Sequence, residues 1–317
     1  MVALDAVKQS NANLKAYGPG LVGVFVGGTS GIGESTARSF VRHATSPRVY
    51  LIGRSQERAS VIIEELKKLN SESKIEFVKA DVSLLKKVDE ACEVIKSREG
   101  KVNVLVLSSG IFTTKGRDET GEGLDKKLSL HYYSRLRFIT NLLPQLNAAA
   151  SSDGETKGLA SVVSVLEAGG EAAISTTDLE LKNTYSLRNA AKHAITMTSL
   201  SFEELAKSNP AVSFIHSYPG VVKTGVARDM GVLGKTAINA LYLLMKPLTV
   251  PVEESGERHL FAASGLPKNA AGEGKPYLVS WNGEPRGNEK VLGELKEKGA
   301  GEVVWKHTLD VFKRIVG

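Results

Sequence analysis

Val26-Gly27-Gly28-Thr29-Ser30-Gly31-Ile32-Gly33 follows an apolar run, Leu21 to Val26, and leads directly into a helix-like segment, Glu34 to His43. Strand, glycine turn and helix in that order mark the opening of a nucleotide-binding α/β unit. Glycines let the backbone pass close to a pyrophosphate, while the free N–H groups of the first helical turn and its positive dipole end face negative charge. The turn predicts a dinucleotide guest, held by Gly27, Thr29, Ser30, Gly31, Ile32 and Gly33.

Downstream, Val49-Tyr50-Leu51-Ile52 reads as a second apolar strand ending at Gly53-Arg54-Ser55, where a doubly wound fold meets the adenosine ribose. An acidic residue there would hydrogen-bond a free 2′-hydroxyl. Arg54 is instead a forked cation suited to a 2′-phosphate, so Arg54 and Ser55 predict NADP(H) over NAD. A solvated surface arginine at a strand end is the alternative.

Further strand candidates at about 75–78, 103–107, 159–165, 212–216 and 277–281 alternate with helical patterns through the chain. That rhythm predicts a single doubly wound Rossmann-type α/β domain, a parallel sheet with helices on both faces. We place this domain at 21–287, with an N-terminal extension at 1–20 and a C-terminal helical extension at 288–317. The rhythm breaks at about 225–251, a glycine-punctuated stretch with an apolar helix, Thr236 to Met245. Insertions after a late strand lie over the carboxyl ends of the strands, so we expect a small substrate lid there, with a dimer-contact helix as the alternative.

Composition narrows the class. The 317 residues are 42% hydrophobic and 24% charged, an ordinary globular balance. The net charge of +6 is dispersed along the chain and aromatics are 6%, which argues against a nucleic-acid binder with a basic, aromatic-studded stripe. Cys92 is the only cysteine, so no intrachain disulfide and no cysteine-based metal site is available, and no metal is expected. The first residues lack a basic-then-apolar leader, and the longest apolar stretch, 237–245, is too short to span a bilayer. A soluble, cytoplasmic protein acting on a small molecule is expected.

Four further motifs, in order, resemble those of the short-chain dehydrogenase/reductase family. Ala80-Asp81-Val82 resembles its segment after the third strand, whose aspartate contacts the adenine amine. Leu107-Ser108-Ser109-Gly110 stands in the place of its N-N-A-G motif. Tyr185-Ser186-Leu187-Arg188-Asn189-Ala190-Ala191 aligns with its Y-x-x-x-K-A-A segment. Ser217-Tyr218-Pro219-Gly220-Val221-Val222-Lys223-Thr224 resembles its P-G-x-V-x-T segment beside the nicotinamide. The resemblance runs from about Leu21 to Ser280 and is nearest to fungal members associated with secondary metabolism. It implies that Asp81, Val82, Ser109, Gly110, Pro219, Gly220, Val222 and Thr224 join the glycine loop in holding the cofactor. It also leaves open a homodimer or tetramer built through the two long helices near His131 and Tyr185.

The departures concern catalysis. The family's lysine place holds Asn189, its helix asparagine place holds His131, and its serine place holds Leu166, leaving Ser164 two residues earlier on the same strand face. Tyr185 alone remains of the tetrad. An ammonium about 4 Å from a phenolate, at an effective dielectric near 20, is worth roughly 4 kcal/mol. Asn189 supplies no such charge, so Tyr185 is expected to stay protonated at neutral pH, a proton donor and not a base.

Spacing puts Asn189 four residues after Tyr185, on one helix face, with its amide free for a ribose hydroxyl. His131 reads either as an imidazolium that partly restores the lost charge or as a packed core histidine. His193 and Lys192 read as helix-surface groups, and Ser164 as a substrate hydrogen bond or a backbone-satisfied strand serine. Two functions follow. One is an NADPH-dependent reductase of a carbonyl, enone or imine in a small apolar metabolite, with Tyr185 as proton donor. The other is a non-redox cyclase, isomerase or dehydratase on the same fold, with the nucleotide structural or absent.

Overall fold

Seven runs of apolar residues, too short for helices and bounded by glycine, proline or polar turns, become the strands of one parallel sheet. The computed structural model describes residues 1–151, 158–225, 249–266 and 274–317. The strands are β1 (Val22–Val26), β2 (Arg48–Gly53), β3 (Lys74–Lys79), β4 (Val104–Leu107), β5 (Ser161–Val165), β6 (Ser213–Tyr218) and β9 (Tyr277–Ser280), in the order β3-β2-β1-β4-β5-β6-β9. All seven coincide with the expected strands to within about two residues at either end. β7 (Val221–Val222) and β8 (Thr249–Val250) form a separate parallel pair.

Helices cover both faces, so the central strands are buried on both sides and read as unbroken apolar runs. Side chains alternate between two cores. Val22, Val24 and Val26 of β1 enter one, with Tyr50, Leu105 and Phe214; Phe25 enters the other, with Leu51, Val106 and Ile215. The first core lies under α4 (Leu85–Lys96), α6 (Ser134–Ala150) and α7 (Leu187–Ser208). The second lies under α2 (Gly31–His43), α3 (Gln56–Leu69) and α8 (Val252–Ser264). A short turn, α5 (Lys126–Leu128), and a π-helical turn, Ser129–Tyr133, lead into α6.

The terminal extensions pack onto this frame. In α1 (Leu4–Ala12) Val7 and Asn11 are buried, and Asn11 Nδ2 donates to the Glu257 carboxylate at 2.7 Å. The same carboxylate, 4% exposed, also accepts from Arg42 at 2.8 Å and meets His43 Nε2 at 3.0 Å. Burial by itself would raise the Glu257 pKa, but hydrogen bonds from His43 and Asn11 hold it down at about 2. A carboxyl depressed from its ordinary 4.5 stabilises the fold above pH ~4.5 and loses that contribution as pH falls toward about 2; the shift corresponds to about 3 kcal/mol. Denaturant midpoints of Glu257→Gln should therefore lie below those of the parent at pH 7, and the gap should narrow as pH falls from about 4.5 to 3. A constant gap across that range would contradict the assignment.

At the other end, α9 (Glu289–Glu297) and α10 (Ala300–Val316) close the first core. The expected lid at 225–251 and its helix, Thr236 to Met245, fall almost wholly outside the described residues. The strands flanking that segment pair with each other, Val221 with Thr249 and Val222 with Val250.

Candidate active site

Strand order reverses between β1 and β4, and there the loops after β1, β2, β3, β4, β5 and β6 surround a cleft of about 760 Å³. This is the crevice where open parallel sheets bind ligands. Gly27 has φ +84°, and a Cβ there would lie 2.9 Å from both Ser108 Oγ and Ser109 N. Gly31 has φ +60°, with the Thr224 side chain 3.1 Å from where its Cβ would stand. Larger residues would fill this cradle. Gly31 and Ile32, the first residues of α2, face the cleft, and the Ser30 side chain does not cap the helix. Gly33 does not line the cleft; a Cβ there would stand 2.7 Å from Gly27 O and would meet Ser108 Oγ, so its absence is what lets α2 pack closely on the turn.

All the other residues expected at a cofactor, from Thr29 and Ser30 through Arg54, Ser55, Asp81, Val82, Ser109, Gly110, Pro219, Gly220 and Val222 to Thr224, line this one cleft. The Asp81 carboxylate accepts from Ser83 N at 3.1 Å and Ser83 Oγ at 2.8 Å, which fixes its orientation. Ser109 Oγ is buried without a partner among the described residues, a hydroxyl suited to a ligand. Ser55 Oγ accepts from Arg58 N at 3.3 Å and starts α3, which brings Arg58 to the cleft beside Arg54. Arg58 was not among the expected cofactor residues; the Ser55 cap, which puts it on the first turn of α3, is the sequence signal that could have placed it near the cleft. Among the described lining residues the cations are Arg54, Arg58, Lys126 and Arg135, and the only carboxylate is Asp81. That balance suits a polyanion, and the cradle, the orphan hydroxyl and the arginine pair together fit a phosphorylated dinucleotide.

Apolar groups, Ile111, Phe112, Leu130, Val165 and Leu166, line the cleft along with His131 and Arg135. His131 Nε2 accepts the Ile111 N–H at 3.1 Å. Burial first, then the charges of Arg135 and Lys127, push its pKa down to about 3, so of the two readings the ring is the neutral one, not the imidazolium. Arg135 is 2% exposed. It donates to Leu130 O at 3.2 Å, Ser164 Oγ at 2.8 Å, Val165 O at 2.8 Å and Ser109 O at 2.7 Å. Every acceptor is neutral, and burial lowers the guanidinium pKa to about 9. Nothing in the helical pattern marked Arg135 as interior, since an arginine among apolar helix residues ordinarily snorkels outward.

The other expected catalytic groups stand elsewhere. Ser164 is wholly buried on β5 beneath Arg135 and does not line the cleft. Tyr185 precedes α7: Ser186 Oγ caps that helix by accepting Asn189 N at 3.0 Å, so Tyr185 and Asn189 share no helix face. The Asn189 amide donates to Thr184 O at 2.8 Å. The Tyr185 hydroxyl is buried beside Asp125, outside the cleft lining, without a hydrogen bond of normal geometry. Burial and the Asp125 charge raise its pKa to about 12, which keeps it protonated, as expected. His193 is buried, 3% exposed, with Nε2 facing Ser175 N at 3.4 Å, and is not a surface group.

The sequence model of the family described as short chain dehydrogenase matches residues 22–231. Oxidoreductase AN1596 of Emericella nidulans is 43% identical over an alignment of 341 positions that covers 100% of this chain and 99% of that protein. Oxidoreductase andH of Emericella variicolor is 33% identical, with coverage of 100% and 98%. Among solved structures, the NADPH-bound carbonyl reductase from chicken fatty liver is similar in fold, with a TM-score of 0.59 at 19% identity over 84% of this chain and 98% of that one.

Proposed function

We propose, from the premise that this chain belongs to the short-chain dehydrogenase/reductase family, that it is an NADPH-dependent reductase of a carbonyl, enone or imine in a small apolar metabolite. The observation that carries the reading is that Arg54, after β2 where an acid would select NAD, and Arg58, on the first turn of α3, both line a cleft whose only described carboxylate is Asp81. The glycine cradle and the N-terminus of α2 take the pyrophosphate, and Asp81 the adenine. Pro219, Gly220, Val222 and Thr224 flank the nicotinamide. When bound, the cofactor supplies the hydride. The chain's own part is to hold the acceptor in line, exclude competing geometries and stabilise charge on the acceptor's oxygen or nitrogen. Ile111, Phe112, Leu130 and Leu166 offer an apolar wall for the substrate.

A non-redox reading draws on one specific observation: Asn189 is spent on Thr184 and Tyr185 lies outside the cleft lining, so the family's acid/base machinery is dismantled. The experiment that separates the two is loss of the reduced-nicotinamide absorbance band with a panel of cyclic ketones, enones, quinones and cyclic imines. Consumption of NADPH, with NADH much poorer, is expected for at least one class. Binding of NADPH with no consumption across the panel would favour the non-redox reading.

A further inference from the structure

With Tyr185 beside Asp125, Ser164 beneath Arg135 and Asn189 turned to Thr184, none of these expected catalytic groups lines the cleft, and the lining offers His131 in their place. The ring's state follows from its contacts. Nε2 accepts the Ile111 N–H at 3.1 Å, which only an unprotonated ring nitrogen can do, so the proton sits on Nδ1. Nδ1 has no hydrogen-bond partner among the described residues, and the ring lines the cleft. Gly110 permits this arrangement, because a Cβ there would stand 2.8 Å from Nε2.

One helical turn on, Arg135 ties together Leu130 beside the ring, Ser109 after β4, and Ser164 and Val165 on β5. Among the described residues no carboxylate faces it, and each of its hydrogen-bond acceptors there is neutral. A buried cation without a counter-ion opposes an imidazolium next door and favours negative charge developing in the cleft.

We propose that His131, as a neutral imidazole, points its Nδ1–H at the oxygen of the carbonyl being reduced, and that Arg135 is the positioning residue that fixes the ring and the strand ends around it. This inference rests on the reductase reading. The carbonyl carbon gains the hydride from the reduced nicotinamide as the C=O π bond opens. The oxygen draws its proton from water entering the cleft, releasing hydroxide to the buffer, and the imidazole keeps its own proton. His131 thus acts as an electrophile, in the way a neutral histidine can polarise a carbonyl without being an acid in the titrating range.

The test uses the full chain with ¹⁵N-labelled histidine, loaded with NADPH, and assigns the His131 ring nitrogens by their loss in His131→Gln. A neutral ring protonated on Nδ1 is expected from pH 5 to 8. An Nε2–H tautomer, or an imidazolium forming with a midpoint near 6 to 7, overturns the proposal. Arg135→Lys keeps the charge but loses the fork, and should move the His131 resonances toward a tautomer mixture; unchanged resonances would remove Arg135 from the account. With any carbonyl that consumes NADPH, His131→Phe should lower kcat about 10²-fold or more with NADPH affinity retained, while Tyr185→Phe costs less than about tenfold. The reverse ranking overturns the assignment. NADPH binding, measured on the same samples, keeps the two levels apart: no binding removes the reductase reading, whereas binding with the wrong tautomer removes only this inference.

Discussion

Truncation after Gly299, which deletes α10, should leave a chain that no longer folds cooperatively. Val304, Val311 and Phe312 of α10 are 0%, 1% and 3% exposed, packed on the core beneath α4, α6 and α7. At about 1.5–3 kcal/mol for each fully buried apolar side chain, these three alone contribute roughly 5–9 kcal/mol. That is comparable with the whole stability of an ordinary domain, about 5–15 kcal/mol. The helix also carries polar ties that water would have to replace. Tyr132 Oη lies 2.5 Å from Thr308 Oγ1 and 2.7 Å from Ser201 Oγ, and Tyr133 Oη lies 2.9 Å from His307 Nε2.

Phe312→Ala alone should cost about 3–5 kcal/mol, since it also removes the ring lying 5.3 Å from the Arg137 guanidinium carbon. Thermal and urea unfolding of both variants measure this. A truncated chain that melts as a single transition near the parent's midpoint would show α10 to be an appendage. α10 packs mainly on α7 and α4, and so covers part of α7, one of the two long helices through which a dimer or tetramer was expected.

Replacing both Arg54 and Arg58 by alanine should weaken NADPH binding about 10²-fold or more while changing NADH binding by less than about threefold. The two guanidiniums line the cleft four residues apart, on the loop after β2 and on the first turn of α3. A charge-assisted hydrogen bond to phosphate is worth roughly 1.5–3 kcal/mol, and each 1.4 kcal/mol is tenfold in affinity. NADH lacks the 2′-phosphate and has nothing there to lose. The ratio of the two dissociation constants therefore isolates the arginine pair from any general damage. Equal losses for both nucleotides would place the arginines outside the ribose site.

Why the strands and the nucleotide loops were readable, and the catalytic end was not, has a physical reason in each case. A parallel strand covered on both faces must be apolar throughout, so Val22–Val26 and Val104–Leu107 announce themselves. A backbone at φ +84° beside Ser109 needs glycine, so Gly27 does too. Tyr185 and Asn189 were misplaced because spacing alone assumes that the helix already runs through both. Ser186, a good N-cap, begins it one residue later than Tyr185, and that signal stood in the sequence unread. His131 could be placed but not its charge, which depends on burial and on Arg135. Arg135 itself is interior because two segments far apart in sequence, Ser109 after β4 and Ser164–Val165 on β5, supply acceptors, a coincidence that no local pattern carries.

The reductase reading requires the cleft to hold a 2′-phosphorylated dinucleotide. Trp281 packs against Gly220 at the cleft's rim, where a Cβ on Gly220 would lie 3.0 Å from the indole, so its fluorescence reports on occupancy. Titrating the folded protein with NADPH and NADH should give saturable quenching by both, with NADPH bound at least about tenfold more tightly. Equal affinities, or no quenching by either nucleotide with parallel calorimetry showing no heat of binding, would contradict the account.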